Sequence, residues 1–185
     1  IRGASLHSAT FYGFTSAMFY STASYASGDM AGTDLGGNNG SGGLSGWNFA
    51  GKNLASASFA DSAIAISANF SSANLTGANF SSCWLVGANF TSATLTNANF
   101  RGIPDDNSNL RNAVFTDAVI TGANFKNTTA FGWVAAQLYS TASYASGNLS
   151  AVDLESNDLT GWNFAGQGLT SSNFTTSTIV NANFA

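Results

Sequence analysis

The sequence predicts a repeat solenoid, and three observations carry that prediction. Large apolar residues recur every five positions, from Phe70 through Leu75, Phe80, Leu85, Phe90 and Leu95 to Phe100. The residue two places before each is small, Ala throughout except for Cys83, and mostly small or polar residues fill the pair between triplets. Composition is the third: 44% of residues are hydrophobic while only 8% are charged, against roughly 25% charged in an ordinary soluble domain. A period of five matches neither a helix face nor strand alternation. Self-similarity at a fixed short period is the mark of units that bury their apolar side chains only by stacking on one another.

The same register covers Leu44, Phe49, Leu54, Phe59 and Ile64, resumes at Leu110, Phe115, Ile120 and Phe125, and runs again from Leu149 to Phe184. Gly, Ser, Asn and Thr dominate the intervening pairs, as tight corners require. These triplets resemble the pentapeptide-repeat family, whose motif is A(N/D)(L/F)xx. The resemblance covers about three quarters of the chain, with seven consecutive matches between Ala68 and Phe100. It implies an all-β fold, a right-handed quadrilateral β-helix in which four pentapeptides make one square coil. The central Leu or Phe and the small residue two before it point inward.

On that basis residues twenty apart stack: Phe70, Phe90 and Leu110 in one column, Phe80, Phe100 and Ile120 in a second, Leu75, Leu95 and Phe115 in a third. Each buried Phe or Leu stabilises by about 1.5–3 kcal/mol, so such a core needs no disulfide or metal. About eight coils at roughly 4.8 Å each give a rod roughly 40 Å long.

A longer repeat overlies the short one. Residues 21–28 recur as 140–147, and the match extends from Gly3 and Gly122 to Leu35 and Leu154. The offset drops by four once Gly40-Ser41-Gly42-Gly43 is passed, which reads as a corner loop present only in the first copy, and by one more near Ala65 and Ile66. The chain is thus one continuous solenoid with a first module at 3–121 and part of a second at 122–185. Near 14–27 and 133–146 the five-residue rule lapses. No Gly or Pro interrupts Phe14 to Tyr25 or Trp133 to Tyr144, and Phe14, Met18, Ser21 and Tyr25 fall at helical spacing. Two short helices interrupting the solenoid are expected, ended by Gly28 and Gly147 in the left-handed region.

Trp47 and Trp162 stand where the motif takes Ala, with Lys52 and Gln167 in the same slot one pentapeptide later. These side chains do not fit a tight interior, so the corner is expected to be covered by the preceding helix. Both tryptophans are candidate interaction residues if instead exposed. The pairing of residues 138–144 with 157–164 resembles modules of repetitive exported bacterial surface proteins, which implies an extracellular or cell-surface location.

Little in the sequence supports chemistry. His7 is the single His and Cys83 the single Cys, which removes a His-based triad and any multi-His or multi-Cys metal site within the chain. Asp105-Asp106-Asn107-Ser108-Asn109 is the densest oxygen-rich stretch, but it lacks the spacing and bidentate Glu of an EF-hand and reads as a corner loop. Asp153 and Glu155 flank the inward Leu154 without a second acid cluster. No catalytic, cofactor-binding or metal residue is assigned and no cofactor is expected. With five Lys and Arg to nine Asp and Glu, the basic footprint needed for nucleic acid is missing. No apolar run reaches transmembrane length.

The expected role is therefore a non-catalytic structural scaffold, part of an extracellular repetitive fibre extended by end-to-end self-association or by tandem modules. Three alternatives compete. The resemblance implies that some relatives mimic duplex DNA and inhibit type II topoisomerases, but the acids here are few and scattered. Adhesin-like glycan binding through Trp47 or Trp162 is the second, and an ice-binding Thr column at Thr76, Thr96 and Thr116 the third. Asn-x-Ser/Thr triplets, among them Asn69, Asn74, Asn79, Asn89, Asn127, Asn148 and Asn173, make covalent glycans a further expectation, although most follow from the repeat itself.

Overall fold

A computed structural model describes residues 3–5, 13–61, 63–102 and 110–185. Its unit is one pentapeptide. In the triplet Ala68-Asn69-Phe70, the Ala and Phe side chains are fully buried while Asn69 points outward and forms a parallel bridge to the neighbouring coils. The Phe70 carbonyl then accepts from the Ala73 amide at 3.1 Å, and Ser72 takes a φ of 56°, the signature of a type II turn. Ser, Asn and Asp fill this left-handed corner repeatedly, at Ser67, Ser82, Asn97, Asn112 and Asp117 for example. Their short polar side chains tolerate the conformation better than branched ones do. The Asn side chain holds the corner from outside: Asn69, Asn79 and Asn89 Oδ1 accept from the backbone amides two residues on, at 2.9 to 3.1 Å.

Four such units make a coil, and each side contributes one bridging residue. Among the described residues the backbone pairs through isolated parallel bridges, with no longer strand. One side of the rod climbs through eight levels: Ser5, Asp34, Ser58, Asn79, Asn99, Asn124, Asp153 and Asn173. Inside, phenyl rings stack nearly parallel from level to level. Phe49 on Phe70 and Phe70 on Phe90 are each 5.0 Å apart with interplanar angles of 4°. Opposite rings of one coil meet edge to face, as Phe70 and Phe80 do at 5.4 Å and 82°. Both arrangements suit the aromatic quadrupole, and each such pair adds about 0.5–1.5 kcal/mol beyond burial.

Coil length is not uniform, and this corrects the predicted columns. Between Asn99 and Asn124 the bridge spans 25 residues instead of the 20 separating Asn79 from Asn99. The five additional residues fall between Phe100 and Leu110, a stretch whose residues 103–109 lie outside those described. The third member of every predicted column therefore moves on by one unit. Phe90 stacks on Phe115, not Leu110, at 5.1 Å. Phe100 stacks on Phe125, not Ile120, at 5.1 Å. Leu95 lies beneath Ile120, not Phe115, because its amide donates to Val119 O at 2.7 Å. All nine residues are buried nonetheless, since any inward position of any coil is interior. The Thr column shifts likewise: Asn97 donates to Thr121 O, so Thr121, not Thr116, follows Thr96.

A second correction concerns Ile64. It bridges Trp84 in the outward slot, and Ala65 takes the inward one, fully buried. The extra residue of the first module thus lies between Phe59 and Ala65, just before the place the sequence offset suggests.

The expected helices form, but each is a pair of single turns. The first pair is α1 (Ser16–Tyr20) and α2 (Ala23–Ser27), the second α3 (Ala135–Tyr139) and α4 (Ala142–Ala145). Thr22 and Thr141 break them: both are extended, and their hydroxyls cap the next turn by accepting from the Tyr25 and Tyr144 amides. Gly28 ends α2 in the left-handed region at φ 79°, and Gly147 follows α4 at φ 71°. Each pair sits within a coil of 29 residues, Ser5 to Asp34 and Asn124 to Asp153.

Candidate functional site: the two tryptophan corners

The helix pairs displace one side of their coil, which deprives the next coil of backbone partners. Tyrosine hydroxyls take over. Asn48 N–H donates to Tyr20 Oη at 2.8 Å, and Asn163 N–H donates to Tyr139 Oη at 2.6 Å. Tyr144 Oη in turn donates to Asn163 O at 2.9 Å. The Lys52 amino group donates to Tyr25 O at 2.8 Å and lies 4.1 Å above the Tyr25 ring. Gln167 Nε2 makes the corresponding bond to Tyr144 O at 3.2 Å, but its Oε1 is buried without a partner. Burial, and second the neighbouring Tyr20 or Tyr139, push the Tyr25 and Tyr144 phenols above their ordinary value of 10.0.

Trp47 and Trp162 lie beneath these helices, only 6% and 7% exposed. Trp47 packs on Phe19 at 5.1 Å and Phe14 at 6.3 Å. Trp162 packs on Trp133 at 5.2 Å and Tyr139 at 6.4 Å. Neither offers an open indole face, because the helix that widens the corner also covers it.

A groove flanks each tryptophan, between the N-terminal end of the helix pair and the corner. In the second module it measures about 570 Å³ and is lined by Thr129, Val134, Asp158, Trp162, Thr176 and Thr178 among others. In the first, Gly40, Ser41 and Gly43 form one wall, and about 330 Å³ is left. The corner that carries the four-residue insertion thus has the smaller groove. Buried Asn157 braces the open corner. Its Oδ1 accepts from the Thr128 and Thr129 amides at 2.8 and 2.9 Å, and its Nδ2 donates to Phe125 O and Leu154 O. Asp158 sits at the rim, its carboxyl held below the ordinary range by hydrogen bonds from the Thr160 hydroxyl and amide. Sequence reading marked the tryptophans but missed the groove, whose signal was the insertion itself.

The remaining candidates do not converge. Cys83 is fully buried in the small-residue slot, where desolvation pushes its thiol far up. Glu155 pairs with Lys126, chiefly through that hydrogen bond, and its carboxyl is lowered as a result. Asp153 bridges Asn124 and Asn173 on a side of the rod. Among the described residues no three His, Cys, Asp or Glu side chains come close enough to hold a metal. His7 and the stretch Asp105 to Asn109 lie outside the described residues. No helix among those described is long and apolar enough to cross a membrane.

Stacked pentapeptide coils with type II corners and an inward column of Phe and Leu define a β-solenoid scaffold. The pentapeptide-repeat family model matches residues 73–103 and 106–129, in eight copies, so the chain carries pentapeptide repeats over that stretch. No curated protein sequence matches it. Among solved structures it is similar to a trypsin-treated form of QnrB1, a plasmid-mediated fluoroquinolone resistance protein. Identity there is 18%, over 83% of this chain and 66% of that one, at a TM-score of 0.31. It is also similar to HetL, a pentapeptide repeat protein involved in heterocyst differentiation regulation from the cyanobacterium Nostoc sp. strain PCC 7120. That match has 18% identity over 99% of this chain and 84% of HetL, at a TM-score of 0.30. A pentapeptide repeat protein of the Arabidopsis thaliana thylakoid lumen shares 22% identity over 72% and 62%, at 0.21. The chain thus spans just under two thirds of QnrB1 and of the Arabidopsis protein. At these scores, what those proteins do does not transfer.

Proposed function

We propose that the chain is a non-catalytic structural rod, a right-handed four-sided β-helix that extends by tandem modules or end-to-end stacking within an extracellular or cell-surface fibre. The observation that supports this reading is the junction between modules. The phenyl stack of the first module passes into the second: Phe100 lies face to face with Phe125, at 5.1 Å and 5°, and Asn99 bridges Asn124, while Phe125 in turn lies on Trp133 at 4.3 Å and 2°. A module that hands its core on in this way can be followed by another of the same kind.

The coil at 165–184 extends the argument. Phe184 stacks on Phe164 as Phe70 does on Phe49, and in the first module that register carries a further coil through Phe90. Duplex mimicry gains no support, since Asp34 and Asp153 share a side but stand five levels apart, and the bridging residues described between them on that side carry no carboxylate.

Electron micrographs and sedimentation velocity over a wide concentration range test the reading. End-to-end filaments, or oligomers that lengthen with concentration, are expected. Isolated short rods at every concentration, for this chain and for a chain with a further module appended in register, would remove its basis. Intact mass of material from the native host tests for covalent glycans.

A further inference from the structure

We infer that the open corner groove of the second module is a binding site for a neutral oligosaccharide, and that the first module has lost the equivalent site to its four-residue insertion. A sugar ring presents an apolar C–H face and a rim of hydroxyls that both donate and accept. The groove offers the matching pair of walls. Val134, 52% exposed, and the edge of Trp162 form the apolar one, while Thr129, Thr176, Thr178 and Asp158 supply hydroxyls and a carboxylate. A volume of about 570 Å³ falls in the range of small-ligand sites, roughly 300–1,000 Å³.

The charge decides between ligand classes. Among the described residues of the lining Asp158 is the single ionisable side chain, so it disfavours an anionic polymer, and none of those residues is a basic group that would hold phosphate or sulfate. A carboxylate with a second oxygen at the rim accepts hydrogen bonds from two adjacent hydroxyls. Asn157 keeps the floor rigid, since its amide is saturated by backbone partners of two segments, 125–129 and 154–155. The site is therefore preorganised.

The first module is an internal control. Among the described residues its groove is lined by Gly13, Phe14, Thr15, Ser16, Trp47 and the inserted Gly40, Ser41 and Gly43, none of them a carboxylate. The sequence equivalent of Asp158 there is Asn39. Gly43 is wedged so closely that an added Cβ would stand 2.2 Å from Asn38 O, so the insertion is packed into the corner.

The test is isothermal titration of the whole chain with maltotriose, cellotriose, N,N′,N″-triacetylchitotriose and lactose. At least one is expected to bind with one site per chain. Asp158→Asn should weaken that binding about tenfold, the difference between a charged and a neutral acceptor. Inserting Gly-Ser-Gly-Gly after Asp158 copies the first module and should abolish binding while the circular dichroism melt stays in place. If that insertion disturbs the fold, Thr178→Val and Asp158→Asn, both at exposed positions, carry the test. Failure of all four sugars to bind, unchanged affinity after insertion in a folded protein, or stronger binding of heparin than of any of them overturns the inference.

Discussion

Replacing Phe90 by Ala removes a ring that touches four others. It is fully buried, stacked on Phe70 at 5.0 Å and on Phe115 at 5.1 Å, and edge to face with Phe80 and Phe100 at 5.5 Å each. Truncating a buried Phe costs about 3–5 kcal/mol. The upper part of that range applies here, because rings above and below are held by their own backbone bridges and cannot collapse into the gap. A solenoid transmits stability only between neighbouring coils, so the loss is local: the levels on either side of Phe90 should begin to unfold separately. Urea denaturation followed by circular dichroism and by limited proteolysis reads both effects, a lower midpoint and a broadened or split transition. A double-mutant cycle then tests register. Phe90 paired with Phe115 should show a coupling of about 0.5–1.5 kcal/mol, larger than Phe90 paired with Leu110. Phe184→Ala, at a 44% exposed ring, should cost distinctly less than Phe90→Ala. A Phe90→Ala loss below about 1.5 kcal/mol, or stronger coupling to Leu110, would refute the 25-residue coil and the stacked core built on it.

Three further outcomes follow from named groups. Gln167→Lys should raise the unfolding midpoint, by up to about 1 kcal/mol, because it replaces a buried unpartnered oxygen by the ammonium that Lys52 uses against the Tyr25 carbonyl and ring; a lowered midpoint contradicts the equivalence of the two corners. Cys83 should resist thiol reagents in the folded protein and react fully in denaturant, since burial both raises its thiol and shields it; rapid labelling of the native chain would show that the coil opens. The pH dependence has two separate edges. Glu155 and Asp158 are lowered on folding, so what they add is complete above the ordinary carboxylate range and fades as pH falls through their folded values, more weakly at high salt. Tyr25 and Tyr144 are raised, so stability holds below pH 10 and is lost as pH climbs through their folded values. Thermal melts across pH check both, and a chain most stable in strong alkali would contradict the tyrosine burial.

The solenoid was legible because its determinants are local. An inward Phe or Leu, a small residue two before it and a corner pair that accepts a left-handed backbone recur within five residues, so the motif reports both the turn and the buried face without reference to anything distant. The Gly40 to Gly43 insertion and the helix sites were legible for a related reason: two similar stretches in one chain serve as their own alignment. Register across coils was another matter. Phe115, Leu110 and Ile120 look alike in sequence, all apolar and all inward, and only the backbone pairing of Asn89 with Val114 decides which of them lies above Phe90. Ile64 shows the same limit on a smaller scale, since a single added residue turns an apolar side chain outward and leaves Ala65 in its place.

The tryptophan corner marks the boundary most clearly. Sequence alone determined that Trp47, Trp162, Lys52 and Gln167 do not fit a square coil, because their volume and polarity are wrong for the slot. Tertiary structure decided what that misfit becomes. Paired helical turns lift off the rod, lend tyrosine hydroxyls to the backbone amides they expose, and leave a groove whose width depends on four residues. Burial and turn preference act within a pentapeptide and are written there, whereas a cavity is the space between segments far apart in the chain and exists only once they have been brought together.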